Sequence, residues 1–139
     1  MNRFPPSLPI TVLIADDEPG VLRSLASALT RVGFEVATVD DGAPAIALAD
    51  STSFEIVVVD FNMKTSGLAV VRHYKARYGA GVYCAVLSGD DDEAMRTACF
   101  DAGADDVFVK PIPASVLRRR LTEAALVLRT AVVARERSA

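Results

Sequence analysis

Residues 54–60 read FEIVVVD, a β-branched apolar run that ends in a single carboxylate. Continuous apolar runs of this kind are typical of a strand buried on both faces of a parallel sheet. Four other short runs read as strands, and apolar residues at helical spacing follow each of the five. The predicted strands are 10–15, 34–39, 54–60, 82–87 and 106–109, and the predicted helices are 19–32, 43–49, 68–78, 91–102 and 114 to about 137.

The alternation of strands and helices predicts the fold class. Parallel strands need crossover connections, and helices supply them. Five strand–helix units with short connections therefore predict an α/β fold, a five-stranded doubly wound parallel sheet with helices on both faces. The last predicted helix is longer than the others, so we expect one domain with an extended C-terminal helix.

The composition agrees with one folded domain. The chain has 139 residues, of which 51% are hydrophobic, enough for one sizeable core. Its net charge of −3 gives no sign of general attraction to nucleic acid. Cys84 and Cys99 lack metal-ligand spacing, and we expect both to be core residues. No apolar run approaches the ~20 residues of a membrane span, and no secretory signal is evident, so we expect a cytoplasmic protein without membrane contact.

Polar residues follow four of the predicted strands. The first strand ends in Asp16-Asp17, the third in Asp60, the fourth in Ser88 and the fifth in Lys110. In a parallel sheet all these strand ends lie at one edge, where open α/β sheets bind their ligands. Each residue taken alone could have a purely structural role, such as a helix cap for the two acids or a turn for Ser88. The structural roles require four separate coincidences, so the combination favours a site.

The residue types at this edge suit phosphoryl transfer. Clustered carboxylates repel one another unless a cation joins them, and Mg²⁺ prefers such oxygen ligands. A carboxylate beside a metal can attack phosphorus and form an aspartyl-phosphate. An ammonium and a hydroxyl would stabilise the phosphoryl oxygens, and Lys110 and Ser88 supply these groups.

The residues between 10 and 125 resemble the receiver domain of bacterial two-component response regulators. The resemblance depends on the ordered set ADDEP (15–19), VVVDFNM (57–63), LSG (87–89), GADD (103–106) and VKP (109–111). It implies a flavodoxin-like fold and a phosphoaccepting switch in a phosphorelay. It also implies that the domain is not an enzyme, beyond catalysing its own phosphorylation and dephosphorylation.

The resemblance also implies a role for each site residue. Asp60 matches the phosphoacceptor, whose donor would be the phosphohistidine of a histidine kinase or phosphotransfer protein. Ser88 and Lys110 match the residues that contact the phosphoryl group. The matched Mg²⁺ ligands are Asp16, Asp17, Asp60 and Asn62, the last through its backbone carbonyl.

The sequence departs from the family pattern in three places. Val107 stands where the family usually has an aromatic residue that reorients on activation, and strand alternation predicts that neighbouring Phe108 points to the opposite face. The loop after Asp60 has no proline and is about one residue short. Asp90 and Asn62 flank the acceptor, at positions where family members tune phosphate lifetime.

The long last helix leaves two interpretations open. Leu117, Leu121, Ala124, Leu128 and Ala131 follow a heptad rhythm for about two heptads, which is short for a coiled coil. The helix either packs on the sheet with a frayed tail or links and dimerises the protein.

We expect a receiver domain over residues 8–126 and a helical extension or linker over 127–139. A homodimer would use the face of the fourth helix, fifth strand and fifth helix, or the last helix. We interpret Arg118-Arg119-Arg120 as a solvated helix face and expect no nucleic-acid contact by this domain.

Two other functions remain open on the sequence. The site also resembles that of a phosphohydrolase with an aspartyl nucleophile. Such enzymes usually carry a second Asp two residues after the nucleophile, and here that residue is Asn62. The other function is that of a degenerate receiver that acts by protein contacts. A test of magnesium binding would distinguish it from a working receiver.

Overall fold

A five-stranded parallel sheet lies at the centre of the computed structural model, which describes residues 8–138. The strands are β1 (Thr11–Ala15), β2 (Glu35–Val39), β3 (Ile56–Asp60), β4 (Tyr83–Ser88) and β5 (Asp106–Val109). Their order in the sheet is β2-β1-β3-β4-β5, so the direction in which successive strands are added reverses between β1 and β3. The order confirms the predicted doubly wound parallel sheet, and the change of direction marks where such sheets bind ligands.

Five helices cover the two faces of the sheet. They are α1 (Pro19–Arg31), α2 (Gly42–Leu48), α3 (Gly67–Tyr78), α4 (Glu93–Asp101) and α5 (Ala114–Ser138), with a short 3-10 turn at Gly79–Gly81. One buried cluster joins side chains of α2, α3 and α4 to the sheet, and a second joins those of α1 and α5 to its other face. Both cysteines are free and buried, as predicted.

Local hydrogen bonds explain two of the differences between the observed and the predicted elements. Asp41 caps α2 by accepting a hydrogen bond from the amide of Ala43, so this helix begins at Gly42 and not at residue 43. Asp92 caps α4 in the same way, so this helix begins at Glu93 and not at residue 91. The third strand begins at Ile56 and not at residue 54.

The last helix packs on the sheet well beyond its first turns. Leu117, Leu121 and Ala125 are buried against it, a spacing of four that replaces the predicted heptad seam at Ala124. Further along, Arg129 forms a two-pronged ion pair with Glu55, with both nitrogen–oxygen distances at 2.8 Å. The helix is continuous across residues 126 and 127, between the two predicted segments. Within residues 8–138, no helix combines the length and apolar character that a bilayer crossing needs.

Candidate functional site

Strand register brings the predicted site residues to one edge. Ala15 of β1 pairs with Val59 of β3, so the next residues, Asp16 and Asp60, lie side by side. Asp60 pairs with Leu87 of β4, and Ser88 follows. Ser88 in turn pairs with Val109 of β5, and Lys110 follows that strand. The structure thus gathers residues from four strand ends, as the sequence predicts.

Lys110 is the cation at the centre of this group. Its Nζ lies 3.0 Å from Asp16 Oδ2, 3.0 Å from Glu18 Oε1 and 3.3 Å from Asp60 Oδ1. Its amide donates a 2.7 Å hydrogen bond to the carbonyl of Ser88, which continues the β4–β5 pairing past the strand ends. The backbone therefore fixes the base of the lysine, and three carboxylates hold its tip.

Asp16 is fully buried, and one of its oxygens accepts no hydrogen bond from the described residues although it lies beside Lys110. Its Oδ1 accepts a 2.9 Å hydrogen bond from the amide of Glu18, which shapes the turn into α1. Its Oδ2 accepts no hydrogen bond from the part of the chain that the structure describes. Lys110 forms an ion pair with this atom at 3.0 Å. A buried carboxylate oxygen in this condition suits an additional cation.

The surrounding acids could supply such a cation with ligands. One carboxylate oxygen from each of Asp16, Asp17, Glu18 and Asp60 lies within 4.8 Å of the others. Asp16 and Asp60 are buried, whereas Asp17 and Glu18 are exposed and open the cluster to solvent. Hard oxygen donors of this kind match Mg²⁺, which keeps waters and needs few protein carboxylates.

Burial and charge shift the pKa values of two site residues. Burial, with the nearby charge of Asp16, raises the pKa of Asp60 to about 6 against the opposing effect of Lys110. Burial by itself would lower the pKa of Lys110, but Asp16, Glu18 and Asp60 outweigh it and raise that pKa. At neutral pH the lysine is therefore charged, and the Asp60 carboxylate is ionised and poorly solvated.

Ser88 lies at the end of β4 and is buried. Its hydroxyl accepts a hydrogen bond from the amide of Asp90 at 3.2 Å and lies 3.1 Å from the carbonyl of the same residue. These local bonds tie the hydroxyl to the β4–α4 loop. A hydroxyl held in this way can donate to a ligand only by exchanging its bond to the Asp90 carbonyl.

Close packing fixes the loop after Asp60. A Cβ atom at Gly67 would lie 2.4 Å from the carbonyl oxygen of Asp60, so only glycine fits at the start of α3. Asp41 accepts a 2.8 Å hydrogen bond from the amide of Thr65 and ties the loop to the start of α2. Asn62 is exposed within this loop. Gly67 and Asp41 were not among the predicted site residues, because their roles depend on contacts between distant segments.

Val107 and Phe108 point to opposite faces of the sheet, as strand alternation predicts. Val107 is buried in the cluster with α2, α3 and α4, and Phe108 packs into the cluster with α1 and α5. No aromatic side chain of β5 therefore lies on the face where the family usually has one.

Glu18 is a further site residue that was not predicted. Its position next to Asp16-Asp17 was visible, but its ion pair with Lys110 joins residues 92 positions apart. The only sequence signal was a third acid directly after the pair.

Comparison with known proteins agrees with this geometry. The family model described as the response regulator receiver domain matches residues 12–122. PrrA of Mycobacterium tuberculosis, a transcriptional regulatory protein, is 40% identical over 111 residues, which are 79% of this chain and 47% of PrrA. The virulence sensor protein BvgS of Bordetella bronchiseptica is 36% identical over 129 residues, 86% of this chain and 10% of BvgS. The chain thus spans about half the length of PrrA and a small part of BvgS.

Solved structures show the same architecture. A CheY-like receiver domain protein from Methanospirillum hungatei superposes with a TM-score of 0.84 at 18% identity, over 89% of this chain and 99% of that one. A response regulator protein from Burkholderia pseudomallei, solved with a phosphorylated aspartic acid and a calcium ion, gives 0.73 at 25% identity, over 91% and 72%.

The fold is a CheY-like α/β domain whose strand ends carry an acidic cluster and a lysine. The chain belongs to the response regulator receiver domain family. Receiver domains of response regulators are switch-like phosphoacceptors of two-component signalling, phosphorylated on an aspartate by histidine kinases, and the family binds Mg²⁺ at an acidic pocket.

Proposed function

We propose that Asp60 accepts a phosphoryl group from the phosphohistidine of a histidine kinase or phosphotransfer protein and makes the domain a switch in a phosphorelay. The observation that carries this assignment is the buried Asp60 carboxylate, 3.3 Å from Lys110 and within the acidic cluster. A poorly solvated carboxylate beside a fixed ammonium is a suitable nucleophile toward phosphorus.

Asp16, Asp17 and Asp60, with the backbone carbonyl of Asn62, would hold Mg²⁺. The buried Asp16 Oδ2 without a hydrogen-bond donor and the close carboxylate oxygens fit such an ion. Bound Mg²⁺ would supply positive charge against the phosphoryl oxygens and relieve repulsion among the acids.

The protein residues would then carry out and stabilise the transfer of the phosphoryl group. An Asp60 oxygen attacks phosphorus in line, a phosphorus–oxygen bond forms, and the phosphorus–nitrogen bond to the donor histidine breaks. The electron pair of that bond returns to the imidazole of the donor. Lys110 and Ser88 would contact the phosphoryl oxygens, and the bonds that tie Ser88 to Asp90 would be exchanged as the β4–α4 loop adjusts.

Residues 8–126 would form this switch module, with residues 127–139 as a helical extension or linker. The exposed Leu126 and Val127 give the helix an apolar surface at this junction. Homodimers would form through the face of α4, β5 and α5 or through the last helix. Size-exclusion chromatography with light scattering, before and after phosphorylation, tests this assembly, and a monomer in both states would contradict it.

Intact-mass measurement after incubation with acetyl phosphate and Mg²⁺ tests the acceptor. The parent chain is expected to gain one phosphoryl group and the Asp60→Asn variant none. Asp91→Asn is the matched control, because Asp91 is an exposed acid whose ion pair is with Arg96, at 3.9 Å. Undiminished labelling of Asp60→Asn would refute the assignment.

Calorimetric titration with MgCl₂ tests the metal site. Asp17→Ala is expected to lose most of the affinity, because it removes an exposed ligand without disturbing the buried Asp16. An absence of Mg²⁺ binding in the parent chain would instead favour a degenerate receiver that acts by protein contacts.

A further inference from the structure

Glu18 stands at the N-cap of α1, directly before the helix, without performing the usual task of that position. It is the N-cap residue, yet its side chain caps no helix amide. The side chain instead reaches across the site and accepts a 3.0 Å hydrogen bond from Lys110 Nζ. The contact joins the start of α1 to the residue that follows β5.

The ion pair occupies part of the bonding capacity of Lys110. A lysine ammonium has three donors, and here Asp16, Glu18 and Asp60 surround it at 3.0–3.3 Å. A phosphoryl group on Asp60 would add oxygens that require the same donors. Glu18 is the partner best able to give way, because its side chain is 60% exposed whereas Asp16 is fully buried.

Glu18 also adds to an unfavourable local charge. Four carboxylates lie within 4.8 Å of one another around this lysine. Phosphoryl donors are anionic, so each carboxylate at the mouth of the site opposes their approach. The exposed position of Glu18 places its charge where a donor would enter.

We propose that Glu18 is a positioning residue that holds Lys110 at the start of α1 and competes with the phosphoryl group for it, so that Glu18 restrains phosphorylation of Asp60. The proposal rests on the function proposed above. Before phosphorylation, Lys110 bridges Glu18 and Asp60. During transfer, Lys110 leaves Glu18 for a phosphoryl oxygen and Glu18 becomes solvated.

A different role for Glu18, as a further metal ligand, makes the opposite prediction. Loss of a ligand would weaken Mg²⁺ binding and slow phosphorylation. The observed geometry favours the lysine contact, because Glu18 Oε1 hydrogen-bonds directly to Lys110 Nζ at 3.0 Å.

The test compares initial rates of phosphorylation by acetyl phosphate at saturating Mg²⁺, followed by intact mass. Glu18→Gln is expected to react about twofold to fivefold faster than the parent, the range for loss of one largely exposed ion pair. Asp91→Asn removes the same charge from an exposed acid that does not contact Lys110, and it should react at the parental rate. Calorimetry should show the same Mg²⁺ affinity for Glu18→Gln and the parent.

A double variant tests whether Glu18 acts through the lysine. In a Lys110→Ala background, Glu18→Gln should no longer change the rate. An equal acceleration in that background, an equal acceleration by Asp91→Asn, or an unchanged or slower Glu18→Gln would overturn the proposal. If Lys110→Ala accepts no phosphoryl group, the initial rates of Glu18→Gln and Asp91→Asn decide whether the proposal holds. A parent chain that is not labelled at Asp60 would refute the proposed function itself, a separate result.

Discussion

Lys110 Nζ lies 3.3 Å from Asp60 Oδ1, yet this contact does not restore the ordinary acidity of the aspartate. Burial and the Asp16 carboxylate outweigh the lysine and raise the pKa of Asp60 to about 6. The folded domain therefore binds a proton at Asp60 more tightly than the unfolded chain does, whose Asp60 pKa is near the ordinary value of 3.8. An ionised Asp60 destabilises the fold without metal, which suits a nucleophile that a cation or a phosphoryl group relieves.

This raised pKa predicts a pH-dependent gain in stability for Asp60→Asn in the absence of divalent cations. As pH rises from about 4 to about 6, the folded parent must release a proton that the unfolded chain has already lost, so its stability falls. The amide removes this cost and should stabilise the domain by about 1–3 kcal/mol at pH 8, with no gain at pH 4. Urea unfolding in EDTA at both pH values measures the difference.

Asp91→Asn serves as the control for this experiment, because Asp91 is an exposed acid. It should leave stability unchanged to within ~0.5 kcal/mol at both pH values. An Asp60→Asn variant with the same stability as the parent at pH 8 would show that burial does not raise the pKa of Asp60.

Substitution of Ser88 should separate phosphorylation from stability. Ser88→Ala removes the hydroxyl that accepts from the amide of Asp90, which should cost about 1 kcal/mol. If the same hydroxyl stabilises the phosphoryl oxygens during transfer, labelling by acetyl phosphate should slow roughly tenfold or more. Ser88→Thr keeps the hydroxyl and should retain most of the rate, so equal rates for the two variants would argue against that role.

The sequence predicts the sheet and the main site residues because both depend on local patterns. β-branched runs and helical spacing give the order of elements, and parallel pairing then places Asp16, Asp60, Ser88 and Lys110 at one edge. The ion pair of Glu18 with Lys110 escaped prediction because it depends on how far two long side chains reach. No sequence period specifies such a contact.

The buried face of the last helix could not be predicted from the sequence either. A heptad rhythm and a spacing of four differ by a single residue at Ala124 and Ala125, and only the packed sheet shows that Ala125 is the buried one. The contact of Arg129 with Glu55 likewise joins segments that no local pattern relates. The observed starts of α2 and α4 differ from the predicted ones, because Asp41 and Asp92 cap these helices.

The close approach of Gly67 to Asp60 predicts a steric effect on the site. The added methyl group of Gly67→Ala would meet backbone atoms of Asp60 at 2.4 and 3.1 Å, and backbone cannot rotate away as a side chain can. We expect a loss of about 1–3 kcal/mol in unfolding free energy and slower labelling of Asp60. Gly20→Ala in α1 is the control, because its Cβ would meet nothing within 4 Å and alanine favours a helix. Equal stability of the two variants would contradict the steric argument.

The ion pair of Arg129 with Glu55 predicts that α5 stays docked beyond residue 126. Arg129 donates to both oxygens of Glu55 at 2.8 Å and to the carbonyls of Leu8 and Pro9 at 3.2 and 3.1 Å. The guanidinium group therefore ties the fifth turn of the helix to the segment that enters β1. Its side chain is 20% exposed, so this contact should contribute more than a surface pair.

Arg129→Gln removes the charge and the two-pronged geometry, and it should lower the unfolding free energy by about 1–2 kcal/mol. Hydrogen–deuterium exchange should quicken in the last turns of α5, because Arg129 ties this part of the helix to the segment that precedes β1. Arg119→Gln is the matched control, since Arg119 is 84% exposed and contacts Glu123 on its own helix at 3.7 Å. If both variants exchange alike, the last turns of α5 do not depend on Arg129 for their position, and residues 127–139 behave as an independent extension.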